Sequence, residues 1–138
     1  MQFIQPTRYT DSTVNTATLW LRLGLGIAMI PHGYDKLMHF ADYQTSFMSF
    51  MGLSMSASLI LAIGAEFFCS ILLMVGLLTR LVLIPLIITA LVIIFLAHDG
   101  DIVGDGSAGF ALLIGYITSL LLGPGAFSLD ALLFKHRS

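Results

Sequence analysis

The sequence predicts an all-α integral membrane protein: a four-helix bundle with a short interfacial amphipathic helix between the first two spans. Of its 138 residues, 57% are hydrophobic and only 10% are charged, whereas about a quarter of the residues of a soluble domain are charged. The apolar residues are also gathered into long stretches, which is the pattern of lipid-facing helices. One small domain cannot hide that much apolar surface, so we expect the lipid bilayer to surround it.

Four apolar segments are predicted to cross the membrane within a single transmembrane domain, residues 1–138. A hydrocarbon core of about 30 Å requires roughly 20 helical residues. The first two segments have that length, whereas the third and fourth are shorter and should lie nearly upright. The four segments cover residues 18–38, 57–78, 81–97 and 109–122.

Between the first two spans, large apolar residues recur at three- and four-residue steps with polar residues between them. They are Phe40, Tyr43, Phe47, Phe50 and Met51. This spacing predicts a short amphipathic helix on the membrane surface. An ordinary loop that contains several aromatic residues is the alternative.

The distribution of positive charge predicts the orientation of the chain. With four crossings, the side that holds both termini carries Arg8, Arg22, Arg80, Lys135 and Arg137, which leaves Lys36 toward the other side. The opposite side carries aspartates instead. The positive-inside rule therefore places the N- and C-termini in the cytoplasm.

Several classes of function are disfavoured by composition. The net charge of −2 and the lack of a basic tail or helix argue against a nucleic-acid partner. A single cysteine, Cys69, cannot form an internal disulfide or a Cys-x-x-Cys pair. No spacing of histidine, cysteine and carboxylate residues specifies a metal site, and no flavin or haem motif is present.

The ionisable residues inside the apolar segments are the candidate ligand-binding or proton-handling residues: Glu66, His32, Lys36 and His98. Burying each charge costs roughly 2.5–3.5 kcal/mol on insertion scales, so each needs a partner or water. His32 and Lys36 are four residues apart and should project from one face of the first helix. We expect Glu66, about 14 Å below the outer edge of the membrane, to meet them in one layer, with His98 above.

Each of these residues also has a purely structural interpretation. Lys36 is near the interface and can extend its ammonium group into the lipid headgroups. His98 can be a helix C-terminal residue that the helix dipole favours. Glu66 can simply hold helices together. These alternatives stay open at this point.

The local pattern of the first helix predicts how it packs. Arg22, Met29 and Lys36 form a heptad line that should face inward, and Pro31 permits a kink. Three glycines of the same helix, Gly24, Gly26 and Gly33, should let a neighbouring helix approach closely. Near the C-terminus, Asp130 is predicted to cap the short helix that begins at Ser128.

Several of these residues together resemble the DoxX family of membrane proteins. They are Arg22 with Gly26, His32-Gly33 and Lys36, then Glu66, the turn 76–80 (GLLTR) and the segment 123–130 (GPGAFSLD). The resemblance extends from about Leu19 to Leu133, but a Glu that often starts the fourth span of relatives is absent near Ser107 and Ala108. It implies a small bacterial inner-membrane protein of four helices. The family takes its name from a subunit associated with thiosulfate:quinone oxidoreduction, and some relatives are linked to membrane redox complexes.

Three functions are consistent with these observations. The first is a redox-associated protein, or accessory subunit of a membrane oxidoreductase, with a pocket for quinone or a similar small molecule in the outer half of the bundle. Because the chain has no flavin, haem or metal motif, redox partner proteins would have to supply the group that moves electrons. Further copies of the chain are also possible partners. The second is a structural or assembly subunit without its own chemistry. The third is a small-solute or proton permease, although no inverted repeat is present.

Overall fold

A computed structural model describes residues 9–43, 52–97, 100, 102–104 and 106–134. All regular secondary structure within these residues is helical. The elements are α1 (Asp11–Met38), α2 (Phe40–Tyr43), α3 (Met55–Ile63), π1 (Gly64–Cys69), α4 (Ser70–Val75), α5 (Thr79–Val92), π2 (Ile93–Ala97), α6 (Ser107–Leu122) and α7 (Leu129–Leu133). Elements α3, π1 and α4 form one continuous helical segment, and π2 continues α5.

Helix α1 begins at an N-cap and runs through Pro31 without interruption. The Thr10 side chain accepts a hydrogen bond from the Thr13 backbone N–H, and the helix ends where the His39 N–H donates to the Asp35 carbonyl. Its buried residues recur at three- and four-residue steps, so one stripe of the helix faces the interior. They are Thr18, Arg22, Leu25, Gly26, Met29 and Gly33.

The predicted inward face of α1 is confirmed. Arg22 and Met29 are completely buried, and the side chain of Lys36 is only 18% exposed. At Gly24 no other described helix approaches, because that residue faces outward and nothing lies within 4 Å of the position that a Cβ would occupy. Gly33 does permit close approach, since its Cβ would lie 2.7 Å from the Phe67 backbone nitrogen and 2.8 Å from the Glu66 carbonyl carbon.

The turn between α4 and α5 is tight and has two consecutive left-handed features. Gly76 adopts φ 77° and closes α4, with its N–H directed to the carbonyls of Leu72 and Leu73. Leu78 adopts φ 52°, which is uncommon for a residue with a side chain. The turn therefore needs support from elsewhere in the chain, and the C-terminal segment supplies it, as described below.

The core is formed jointly by α1, α4, α5 and α6. Its buried members are Leu25, Met29, Leu73, Val82, Leu83, Leu86, Ala90 and Tyr116. Helix α1 packs against π1 and α4, α5 packs against α6 and π1, and α1 also contacts α6. The four segments predicted to be spans thus coincide with the four long helical segments that share this core.

The outward faces of these helices are apolar. Trp20 is 71% exposed, and Ile27, Leu61, Phe68 and Leu121 are also more than half exposed. A water-soluble protein seldom exposes apolar surface on this scale. Two helices, Asp11–Met38 and Met55–Val75, are long and apolar enough to cross a membrane, whereas the apolar helices Thr79–Phe95 and Ser107–Leu122 are shorter.

The predicted interfacial helix lies only partly within the described residues. Helix α2 covers Phe40 and Tyr43, and α3 begins at Met55. The remaining residues of the predicted amphipathic pattern, Phe47, Phe50 and Met51, are outside the described part of the chain.

Two glycine-to-alanine variants of α1 test this packing. We expect Gly33→Ala to lower the free energy of unfolding by about 1–3 kcal/mol, because the added methyl meets the backbone of π1 rather than a flexible side chain. Gly24→Ala is the matched control. It should leave stability unchanged or raise it by about 0.5–1 kcal/mol, because alanine costs less backbone entropy than glycine in a helix. Reversible unfolding in detergent micelles measures both, and equal effects of the two substitutions would contradict the packing described here.

Candidate functional site

The carboxylate of Glu66 and the ammonium group of Lys36 form an ion pair inside the apolar helices. The distance between Lys36 Nζ and Glu66 Oε2 is 2.8 Å. Glu66 is 3% exposed as a residue, and its side chain and that of Lys36 are 4% and 18% exposed. Such a pair is costly to break, because removal of either partner leaves an uncompensated charge.

Local structure brings the two residues together. Lys36 lies in the last turn of α1, two turns above Met29 on the buried stripe. Glu66 lies in π1, which faces α1 where Gly33 allows the two backbones to approach. A π-helical turn inside an α-helix is rare and occurs frequently at functional sites. Its position here, around the buried carboxylate, makes the pair the candidate site.

The ion pair does not use all the hydrogen-bonding capacity of the carboxylate. Glu66 Oε2 has no partner with hydrogen-bond geometry although Lys36 Nζ is within ion-pair distance. The lysine therefore approaches from outside the directions in which a hydrogen bond forms. The carboxylate remains able to accept a hydrogen bond from a further donor.

Aromatic rings contact one another between α1 and π1, the two elements that carry Lys36 and Glu66. The ring centroids of Tyr34 and Phe67 are 6.3 Å apart, and those of Phe67 and Phe68 are 5.2 Å apart with the rings perpendicular. Tyr34 and Phe68 are each more than half exposed. These side chains form a partly exposed apolar surface on the two elements that carry the ion pair, of the kind on which a flat ring can stack.

The structure does not bring His32 to Glu66. His32 is exposed, and its side chain makes no hydrogen bond or ion pair within the part of the chain that the structure describes. The reason is helical geometry: at about 100° per residue, His32 lies roughly 40° from Lys36 and roughly 60° from Met29, at the margin of the buried stripe. His98 lies outside the described residues, so its predicted place above the cluster stays a prediction.

A second polar group lies at the exposed end of α1. The Tyr43 hydroxyl donates to Asp35 Oδ2 at 2.6 Å, and His39 Nδ1 lies 3.2 Å from Asp35 Oδ1. The hydrogen bond to Asp35 raises the pKa of Tyr43, because loss of the phenolic proton would place two negative charges together. This contact ties the start of the connecting segment back to α1.

At the opposite end of the molecule, Arg22 joins three parts of the chain. It is completely buried. Its Nη1 donates to the carbonyls of Leu73 and Met74, and its Nη2 donates to the carbonyl of Phe127. Arg22 thereby links α1 to the end of α4 and to the segment that precedes α7.

Asp130 completes this linkage and corrects its predicted role. Its carboxylate accepts the backbone N–H groups of Leu78 and Thr79, at 2.8 and 2.9 Å, and so caps α5 rather than α7. Ser128 alone caps α7, through the N–H of Ala131. The Asp130 N–H donates to the Gly76 carbonyl, so the same residue supports the left-handed turn.

We use the name inner clamp for Arg22, Asp130, the turn 76–80 and the segment 123–130. Within it, Arg80 Nε also donates to the Leu120 carbonyl near the end of α6, where a cation is favoured by the helix dipole. Sequence reasoning marked all these residues as family-like but did not show that they meet. The resemblance therefore rests on two sites: the inner clamp and the ion pair.

Together, these features define an all-helical membrane protein with a charged pair buried between two of its helices. The chain belongs to the DoxX family, whose family model, described as DoxX, matches residues 17–99, more than half of the chain. The matched region includes the Lys36–Glu66 pair and the turn 76–80 but ends before α6. No curated protein and no solved structure matches the chain.

The capping role of Asp130 gives a direct test of the inner clamp. We expect Asp130→Ala to lower the free energy of unfolding by at least about 1 kcal/mol, because α5 loses its N-cap and Arg22 loses a nearby negative charge. Asp11→Ala is the control: this exposed residue in the first turn of α1 contributes only a helix-dipole term of about 0.3–1 kcal/mol. Thermal unfolding in detergent compares the two, and an Asp130 effect no larger than that of Asp11 would rule out the clamp.

Proposed function

We propose that this protein is a redox-associated protein of the bacterial inner membrane that binds a quinone-like molecule at the Lys36–Glu66 pair. The observation that carries the proposal is a nearly fully buried carboxylate, 2.8 Å from an ammonium group, within helices that otherwise present apolar surfaces. Buried ionisable residues of membrane proteins most often mark ligand or proton pathways. The partly exposed aromatic surface on the same two helical elements supports a flat ligand.

The two charged residues would have different roles. Lys36 provides ammonium hydrogens that hold a carbonyl or anionic oxygen of the ligand. Glu66 exchanges a proton with that oxygen, which its unused acceptor capacity supports. We include His32 and His98 in the proposed site as residues that could face the ligand from the helix margin and from above. Electrons come from a partner oxidoreductase, for which this chain is an accessory subunit.

The proposed topology follows from the positions of the inner clamp and of the Lys36–Glu66 pair at opposite ends of the helices. All four long helical segments cross the membrane, with both termini in the cytoplasm. Arg22 and Arg80 lie in the inner clamp, and the Lys36–Glu66 pair lies toward the other end, where acidic residues predominate in the sequence. The binding site is then in the outer half of the bundle.

A structural or assembly subunit is the second candidate, and the ion pair itself favours it. A buried pair of opposite charges can fix the register of two helices without any chemistry. The exposed Gly24 face, which has open space around it, would suit close packing against a partner helix or a second copy.

A charge-swap variant distinguishes the two candidates. We expect Glu66→Gln to abolish binding of a quinone analogue to the purified protein, measured by fluorescence quenching or calorimetry. The double variant Lys36→Glu with Glu66→Lys restores the ion pair and most of the lost thermal stability, but it should not restore binding, because the acid and base are exchanged. Asp35→Asn, in the exposed group at the end of α1, is the control and should bind normally.

Two results would remove the binding proposal. One is wild-type protein that binds no quinone analogue. The other is a Glu66→Gln variant that binds as well as the wild type. Recovery of every cellular phenotype by the charge-swap variant, without analogue binding by any form, would favour the structural role.

A further inference from the structure

A series of buried polar groups without hydrogen-bond partners continues from the ion pair into the interior. Six side-chain atoms are involved: Glu66 Oε2, Ser70 Oγ, Tyr116 OH, Ser119 Oγ, Thr79 Oγ1 and Arg22 Nε. Ser70, Ser119, Tyr116 and Arg22 are completely buried, and Thr79 is 1% exposed. A buried polar atom without a partner costs about 1–3 kcal/mol, so such a concentration in one small protein requires an explanation.

The helix contacts place the first members of this series in successive layers. Gly33 lies against Glu66 and Phe67, and Gly26, two turns nearer the start of α1, lies against the carbonyl of Ser70. Arg22 then binds the carbonyls at the end of α4, a further turn away. Glu66 and Ser70 therefore lead stepwise from the ion pair toward the inner clamp.

Helix α6 supplies the other hydroxyl groups at matching levels. Gly115 packs against Leu25, which places the backbone of the next residue, Tyr116, near the level of Leu25. Ser119 is one turn closer to Gly123, which lies against Arg80 in the inner clamp. An electrostatic interaction between Glu66 and Tyr116 is consistent with this order.

None of these side-chain atoms has a hydrogen-bond partner among the described residues, so the hydroxyl groups do not bond to one another. A water molecule between two of them would satisfy both. Buried waters typically satisfy two to four otherwise unpaired polar groups, whereas apolar cavities stay dry.

We propose that Ser70, Tyr116 and Ser119 bind a buried chain of water molecules that extends from the Glu66 carboxylate to the Arg22 guanidinium. Arg22 Nε donates to the last water, because it is the guanidinium nitrogen that has no hydrogen-bond partner among the described residues. We call these five side chains and the water molecules between them the polar column. The presence of water in the polar column does not depend on the proposed function. Only its use, proton exchange between Glu66 and the column, rests on that function.

The positive charge of Arg22 prevents protons from passing through the column to the other side of the membrane. A fixed guanidinium at the inner end opposes a hydronium ion there, as in pores that exclude protons electrostatically. Among the described residues, the titratable groups of other elements that interact electrostatically with Glu66 are Lys36 on α1, Tyr43 on α2 and Tyr116 on α6. Helix α5 carries no titratable residue except Arg80, at its opposite end. The column thus exchanges protons with Glu66 from the interior of the bundle, but it does not connect the two sides of the membrane.

X-ray radiolytic labelling of the full chain in detergent tests the hydration directly, because radicals form from water bound beside a side chain. After each rate is divided by the intrinsic radical reactivity of its residue type, we expect Tyr116 to be oxidised several-fold faster than the equally buried Leu83, although both have zero exposure. Labelling of Tyr116 at the background level of Leu83 would overturn the proposal.

Two hydroxyl deletions provide an independent measurement. Ser119→Ala and Tyr116→Phe should lower the unfolding temperature, because each removes an anchor from a bound water. A dry, unpaired hydroxyl predicts the reverse, since its removal relieves a desolvation cost. Thr118→Val and Tyr34→Phe are the matched controls, being exposed neighbours on α6 and α1. Unchanged or raised unfolding temperatures for both deletions would refute the water chain.

Proteoliposomes test whether protons pass through the column, separately from hydration and from quinone binding. We expect the wild type to dissipate a pH gradient no faster than empty liposomes. A leak that disappears in Glu66→Gln would show a continuous proton path and overturn this part of the proposal. Quinone-analogue binding is measured on its own, so failure of the proposed function would leave the labelling and unfolding results intact.

Discussion

Arg22 is a fully buried cation whose position fixes the geometry of the rest of the molecule. Its guanidinium donors end on carbonyls of α4 and of the C-terminal segment, so α1 cannot slide or rotate without breaking them. Lys36 lies two heptads further along the same face, and Gly33 holds the intervening backbone against π1. The contact of Lys36 with Glu66 is therefore a consequence of how the other end of α1 is anchored.

The molecule consequently separates structural and chemical tasks along its length. At one end, Asp130 and Arg22 satisfy backbone groups that a membrane interior would leave unpaired, which is the main constraint on any helix end in lipid. At the other end, a charged pair is held where only a few side chains separate it from the surface. The residues that carry the DoxX family resemblance belong to both ends, so family membership implies the scaffold more firmly than a reaction.

The sequence predicted those features that follow from periodicity or from the cost of burying charge. The inward line through Arg22 and Met29 follows from the helical repeat, and Glu66 was singled out because carboxylates in apolar segments need partners. The role of Asp130 could not be predicted, because it caps a helix that begins about 50 residues earlier in the chain. The π-helical turn at Glu66 was also missed, since no local pattern distinguishes it from an α-helix. His32 lies only a fraction of a turn from the buried stripe. Residue spacing alone could not show whether its side chain faces the interior or the exterior of the bundle.

The central claim is that Lys36 and Glu66 stabilise the protein through each other. A double-mutant cycle with Lys36→Met, Glu66→Gln and the combined variant, followed by reversible unfolding in detergent, measures this directly. We expect each single variant to be destabilised and the combined variant to be more stable than the sum of the two losses, by a coupling of about 0.5–3 kcal/mol. Additive effects, with no coupling between the two positions, would show that the two side chains do not interact.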